Sequence, residues 1–162
     1  MAQRRAKKVS GSDAQPIPRP FAVDMTAAAE AVYSDLYRKA KESERAGNYA
    51  SSHCTTFNMV RDAIKRIIPS DPLNPKHGLR GEFANVFRLR KGRLRICWIA
   101  SSKIRRILIL FISETLRKDG DASDPYMLLQ TMLHSGAFDS YFQGMGVRMK
   151  HLRSQSRTDK PH

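Results

Sequence analysis

Cysteine is scarce in this chain: Cys54 and Cys97 are the two in 162 residues. Their spacing fits neither a metal site nor a disulfide framework, so both read as reduced thiols used as small hydrophobes. No stretch approaches 18 consecutive apolar residues, which excludes a helical membrane span. The opening segment MAQRRAKKVSGSDAQP has basic residues but no apolar run behind them, so a secretory signal is not expected and a cytoplasmic location is. No internal repeat is visible. Acidic residues are also few, 15 against 29 Lys and Arg, which leaves a net charge of +14 and a pI near 10.3. That imbalance points to a polyanionic partner: nucleic acid, an anionic membrane or an acidic protein. What the chain does have is enough apolar residue, 41% of the total, to build one core without metal or disulfide support.

Charge and periodicity divide the chain. Residues 1–20 mix charge with Gly, Ser and Pro and are expected to form a disordered basic arm. Residues 21–148 read as the folded domain, and 149–162 as a basic tail. Met25, Ala29, Val32, Leu36 and Ala40 recur at helical spacing, with Asp24 as the expected N-cap and Gly47 as terminator. Phe57, Val60, Ile64, Ile67 and Ile68 mark a second helix that Pro69 should stop. The pattern then changes to period two. A further helix is expected after Asp124 as N-cap and Pro125 at the first helical position. It should turn Leu128, Leu129, Met132 and Leu133 inward and end at Gly136. Phe138, Tyr141 and Phe142 are expected to dock that end onto the core. Helices in one block and strands in another make the fold class α+β.

The stretch FRLRKGRLRICW, residues 87–98, carries most of the functional signal. Taking Lys91-Gly92 as a two-residue hairpin turn sets Arg90 opposite Arg93 and Arg88 opposite Arg95. All four guanidiniums then leave one face, with Leu89, Leu94 and Ile96 on the other. IRRILILFIS, residues 104–113, follows as a doubly covered strand. Residues 87–118 hold ten basic side chains against Glu114 alone, +9 of the total charge. Like charges about 5 Å apart repel by roughly 0.8 kcal/mol in bulk water, and by more near protein. Such pairs cost stability unless phosphates sit between them. Arginine binds phosphate with a bidentate fork and stacks on bases, which favours RNA over mere solubility. The bland alternative is a solvated strand face whose long stems cover apolar surface.

HGLRGEFANVFRLRKGRLRICW, the apolar strand after it, and SETLRKDGDASDPYMLLQTMLHSG resemble the RelE/ParE toxin superfamily, and in detail its YhaV-type branch. The likeness spans roughly residues 53–137, with a weaker echo of the family's first helix before that. It rests on the order of Leu79-x-Gly81, the hairpin with Gly92 and Arg95, Thr115-Leu116-Arg117, then Asp124, Tyr126 and Met132-Leu133. The chain departs from its relatives at Leu94 and at Lys118-Asp119, where they often carry aromatic residues.

The resemblance implies a RelE-like small antiparallel sheet packed against two N-terminal helices, with a C-terminal helix. It also implies the toxin of a type II toxin–antitoxin system. Such a toxin is an endoribonuclease, or mRNA interferase, that uses no metal or other cofactor and generally cuts mRNA on the ribosome. The implied partner is a cognate antitoxin similar to the PrlF type, with an AbrB-like fold. Arg95 and Arg117 match the positions that hold the phosphate, an electrostatic task. Arg88, Arg90, Arg93 and Lys118 are the expected RNA-tracking neighbours. Arginine stays protonated and makes a poor general base. His77 is the leading candidate for that role, with Tyr126 and Glu114 beside it. His134 is expected to cap the last turn of its helix. Two other readings remain open on the residues: a non-catalytic toxin that inhibits a target protein by binding it, and a plain RNA-binding module.

Overall fold

The computed structural model describes residues 19–114 and 125–146. Most of the basic arm, Arg117, Lys118, the side chain of Tyr126, the proposed cap Asp124 and the basic tail lie outside them. Strand β1 (Ala22–Met25) leads into helix α1 (Ala27–Arg45) and helix α2, which begins at Ser52–Asp62. Strands β2 (Phe87–Lys91), β3 (Leu94–Ser101) and β4 (Arg106–Ser113) form the meander. Helices α3 (Pro125–His134) and α4 (Asp139–Met145) follow. The α+β class is as expected, and the sheet order is β1-β4-β3-β2.

The sheet is mixed rather than wholly antiparallel, because β1 runs parallel to β4 with Ala22 opposite Arg106 and Met25 opposite Ile109. Asp24, expected as a helix cap, is a β1 residue, and its carboxylate lies 3.6 Å from the Arg106 guanidinium. The cap is Thr26. Its hydroxyl accepts from the Ala29 amide at 3.1 Å and donates to the Leu110 carbonyl at 2.9 Å. One buried side chain thus starts α1 and ties it to β4. Gly47 ends α1 as expected, with a φ of 78°.

Proline shapes the end of α2. Pro69 has no amide to donate, and its ring would crowd the carbonyl four residues back. The helix widens over Ala63–Ile67 into a π turn, with the Ile68 amide reaching back to Ala63, and closes at Ile68–Ser70. The loop beyond it covers Trp98, whose indole N–H donates to the Pro72 carbonyl at 2.9 Å.

The two sheet faces have separate cores. Leu89, Leu94, Ile96, Trp98, Ile107, Ile109 and Ile112 pack against α1 and α2. On the opposite face, Cys97, Ile99, Leu108 and Leu110 pack against Leu129, Leu133, Phe138 and Phe142. A bulge between Cys97 and Trp98 shifts the β3–β4 register, so that Cys97 opposes Phe111 and Trp98 opposes Ile109. Gly136 terminates α3 with a φ of 77°, its amide bonding to Leu133 while the Ala137 amide bonds to Met132. Leu128, expected to face inward, is exposed, while Leu129 and Leu133 are buried. Phe138 and Phe142 do dock on the core, and they do so from a short helix of their own.

Candidate nucleic-acid interface

The hairpin turns one residue later than its sequence suggests. Lys91 pairs with Leu94, which leaves Gly92-Arg93 as the two-residue loop. Gly92 has a φ of 55°, and the first loop position is where a type II′ hairpin requires glycine. The shift changes every cross-strand partner. Arg90 opposes Arg95, and Arg88 opposes Cys97, while Arg93 leaves the ladder for the turn. Three of the four expected arginines therefore share a face: Arg88, Arg90 and Arg95. Further along, α3 and α4 cover this face, and among the described residues their apolar cluster extends to Cys97, the partner of Arg88.

Arg95 differs from its neighbours in being buried, at 8% exposure, and in its fixed geometry. Its Nη1 donates to the Gly92 carbonyl at 2.6 Å and to the Leu94 carbonyl at 2.9 Å, folding the side chain back over the turn. Burial, and then the charge of Arg90, hold its pKa below the ordinary arginine value. Arginine remains a cation at neutral pH all the same. Buried Ser113 stands opposite it on β4. Cys97 continues the same face into the apolar region, and burial pushes its thiol up to about 12 despite the pull of Arg88 and Arg95. Both cysteines are free and buried, as their scarcity suggested.

His77 is not brought to these arginines. It ends a 3-10 turn, Pro75–His77, and its ring lies 5.9 Å from that of Trp98. Trp98 faces α1 and α2, so the sheet stands between the His77 ring and the guanidiniums. Gly78, next to His77, does bridge to Phe87 at the base of the hairpin, yet adjacent strand positions alternate faces. His134 lies in the last turn of its helix, as expected. Its Nε2 lies 2.9 Å from a Glu82 oxygen, and Gln130 donates to the other oxygen of the same carboxylate at 2.9 Å. These two contacts pin α3 to the Gly81–Phe83 turn.

Glu114 follows Ser113 out of β4 into a cleft of about 470 Å³ at the hairpin tip. The cleft runs between that tip and the start of α2, where the Ser51 hydroxyl caps the Cys54 amide. Lys91, Arg93 and His53 line it with Glu114. Helical periodicity marks only the buried stripe of α2, so His53, one residue before Cys54, gave no signal. Lys91, expected in the turn, is instead the last β2 residue, paired with Leu94. Among the described residues, no three His, Cys, Asp or Glu side chains gather closely enough to hold a metal ion. Nor, among them, is any helix long and apolar enough to cross a membrane.

A basic α+β domain whose sheet face carries three arginines at the hairpin end, one of them buried and anchored, is the class defined by this geometry. Residues 22–147 match the YhaV toxin family, described as a toxin with endonuclease activity, of a toxin–antitoxin system. The chain belongs to that family, and the YhaV-type resemblance read from the sequence is thereby met. Among solved structures, the chain is similar to one from the RelBE2 toxin–antitoxin complex of Mycobacterium tuberculosis. The two are 20% identical with a TM-score of 0.41, over 59% of this chain and 98% of that one. No curated protein matches the chain.

Proposed function

We propose that the protein inhibits translation and growth as an mRNA endoribonuclease that needs no metal and acts on ribosome-bound message. The observation that carries this reading is the Arg90–Arg95 pair, two cations held in register on a face that also bears Arg88. Such a pair is self-repelling until a phosphate lies across it. Arg95, buried and hydrogen-bonded, is preorganised to meet the charge that develops on a phosphorane. Arg117 shares that task, and Arg88, Arg90, Arg93 and Lys118 hold the flanking strand. As the 2′-oxygen bonds to phosphorus and the bond to the 5′-oxygen breaks, the 2′-hydroxyl proton goes to Glu114 rather than to His77. The leaving 5′-oxygen takes a proton from water. Glu114 shares its cleft with Gly92, whose carbonyl anchors Arg95, whereas the His77 ring lies against Trp98. Tyr126 assists by stacking a base. A cognate PrlF-type antitoxin with an AbrB-like fold neutralises the toxin by covering the arginine face with an acidic segment.

Primer extension on cellular mRNA after induced expression tests the reading. Discrete cuts ending in 2′,3′-cyclic phosphate are expected, and purified toxin with programmed ribosomes should still cut when EDTA is titrated to a level the ribosomes survive. Growth arrest with uncut message would favour the target-binding inhibitor instead.

A further inference from the structure

The cleft at the hairpin tip has the chemistry of a nucleotide subsite. It is about 470 Å³ in volume, large enough for a nucleoside with its phosphate. Its cations, Lys91 and Arg93, come from either side of Gly92. Strand alternation sends Lys91 to the face opposite Arg90, so the basic surface does not stop at the turn but passes over it. The linking residue is Gly92, which lines the cleft and accepts the Arg95 guanidinium at 2.6 Å. Met59 and Leu94 supply an apolar wall suited to the face of a base. The exposed His53 side chain adds a hydrogen-bonding group from α2.

Glu114 makes this more than a phosphate site. A carboxylate repels phosphate and, when ionised, can only accept hydrogen bonds. Two cations beside one acceptor-only anion suit a ligand that is anionic at one end and offers a hydroxyl donor at the other. A ribonucleotide within an RNA strand fits that description, and a deoxyribonucleotide lacks the donor. We infer that the RNA strand crosses the Gly92-Arg93 turn and seats one nucleotide in this cleft, with Lys91 and Arg93 on its phosphate and Glu114 accepting from its 2′-hydroxyl. The inference rests on the endoribonuclease reading and adds to it where ribose is told from deoxyribose.

Binding of one oligonucleotide sequence in three forms, RNA, DNA and 2′-O-methyl RNA, tests the idea, with recovery of intact RNA checked on a gel. Wild-type protein should prefer RNA over both other forms by on the order of tenfold, the scale of one hydrogen bond to a charged group. Glu114→Ala should erase that preference while leaving DNA affinity equal or higher, since a repelling charge is gone. Lys91→Ala and Arg93→Ala should weaken all three forms alike and lower the salt slope by about one each. An RNA preference that survives Glu114→Ala overturns the inference, as does unchanged affinity in both basic variants. Arg88→Ala and Arg90→Ala separate this from the larger reading: if they leave RNA binding intact while the cleft variants do not, the arginine face fails and the cleft stands.

Discussion

The two faces of the sheet are built from the same strands and end up with different work. On one, α1 and α2 cover residues from Leu94 to Ala100 on β3 and from Ile107 to Ile112 on β4. On the other, among the described residues the apolar cluster with α3 and α4 extends to Cys97, and Arg95 and Arg90 lie beyond it. Alternation along a single strand makes this possible: Leu94, Ile96 and Trp98 go to the helices while Arg95 and Cys97 go the other way. The covered face owes its stability to area removed from water. Near the hairpin tip the other face instead gathers Arg88, Arg90 and Arg95, like charges that repel one another.

The sharpest way to test the division is a pair of variants on β3. Trp98 is 1% exposed, with its N–H satisfied by Pro72. Trp98→Ala should cost about 3–5 kcal/mol in urea unfolding, through lost burial and the cavity left behind. Three positions earlier, Arg95→Ala should lose about 10²–10³-fold in single-turnover cleavage, the scale of one oxyanion-hole donor, with a much smaller change in unfolding free energy. Arg95→Lys should recover part of the rate, since a point charge replaces a fork. Equal stability losses for both variants would erase the distinction between the faces.

Cys97 marks the boundary and offers a test by pH. Its folded pKa, about 12, lies above the ordinary 9.0. Stability from keeping the thiol neutral is therefore full below pH 9 and is lost as pH rises from there toward 12. The expected slope is about 1.4 kcal/mol per pH unit for one proton. Cys97→Ala should remove that part of the alkaline slope, measured against wild type by urea unfolding at pH 8 to 10.5. An identical slope would place the thiol in contact with water, and the apolar cover would then end before Cys97.

The smallest effect concerns how the covered face is tied to its sheet. Thr26 both caps α1 and donates to Leu110 at the bulge. Thr26→Ala should cost about 1–2 kcal/mol, and Thr26→Ser should restore most of it by keeping the hydroxyl. A serine variant as weak as alanine would shift the credit from the hydrogen bonds to the methyl group.

The sequence by itself determined the local elements and the chemistry available. Periodicity placed α1 and α2, glycines marked the ends of α1 and α3, and the arginine density located the hairpin, because each depends on residues a few positions apart. What only the tertiary structure decided was pairing and sidedness. β1 is four residues long and finds its partner more than 80 positions away, so Asp24 looked like a cap. A single-residue shift of the turn exchanged the partners of every arginine and sent Arg93 and Lys91 toward α2. His77 and Arg95 belong to the same stretch of chain but lie on opposite sides of the sheet, while His53 and Glu114, 61 positions apart, line one cleft. Side-chain direction in a strand reverses at every residue, so register decides which groups can meet, and register is fixed by packing across the whole sheet.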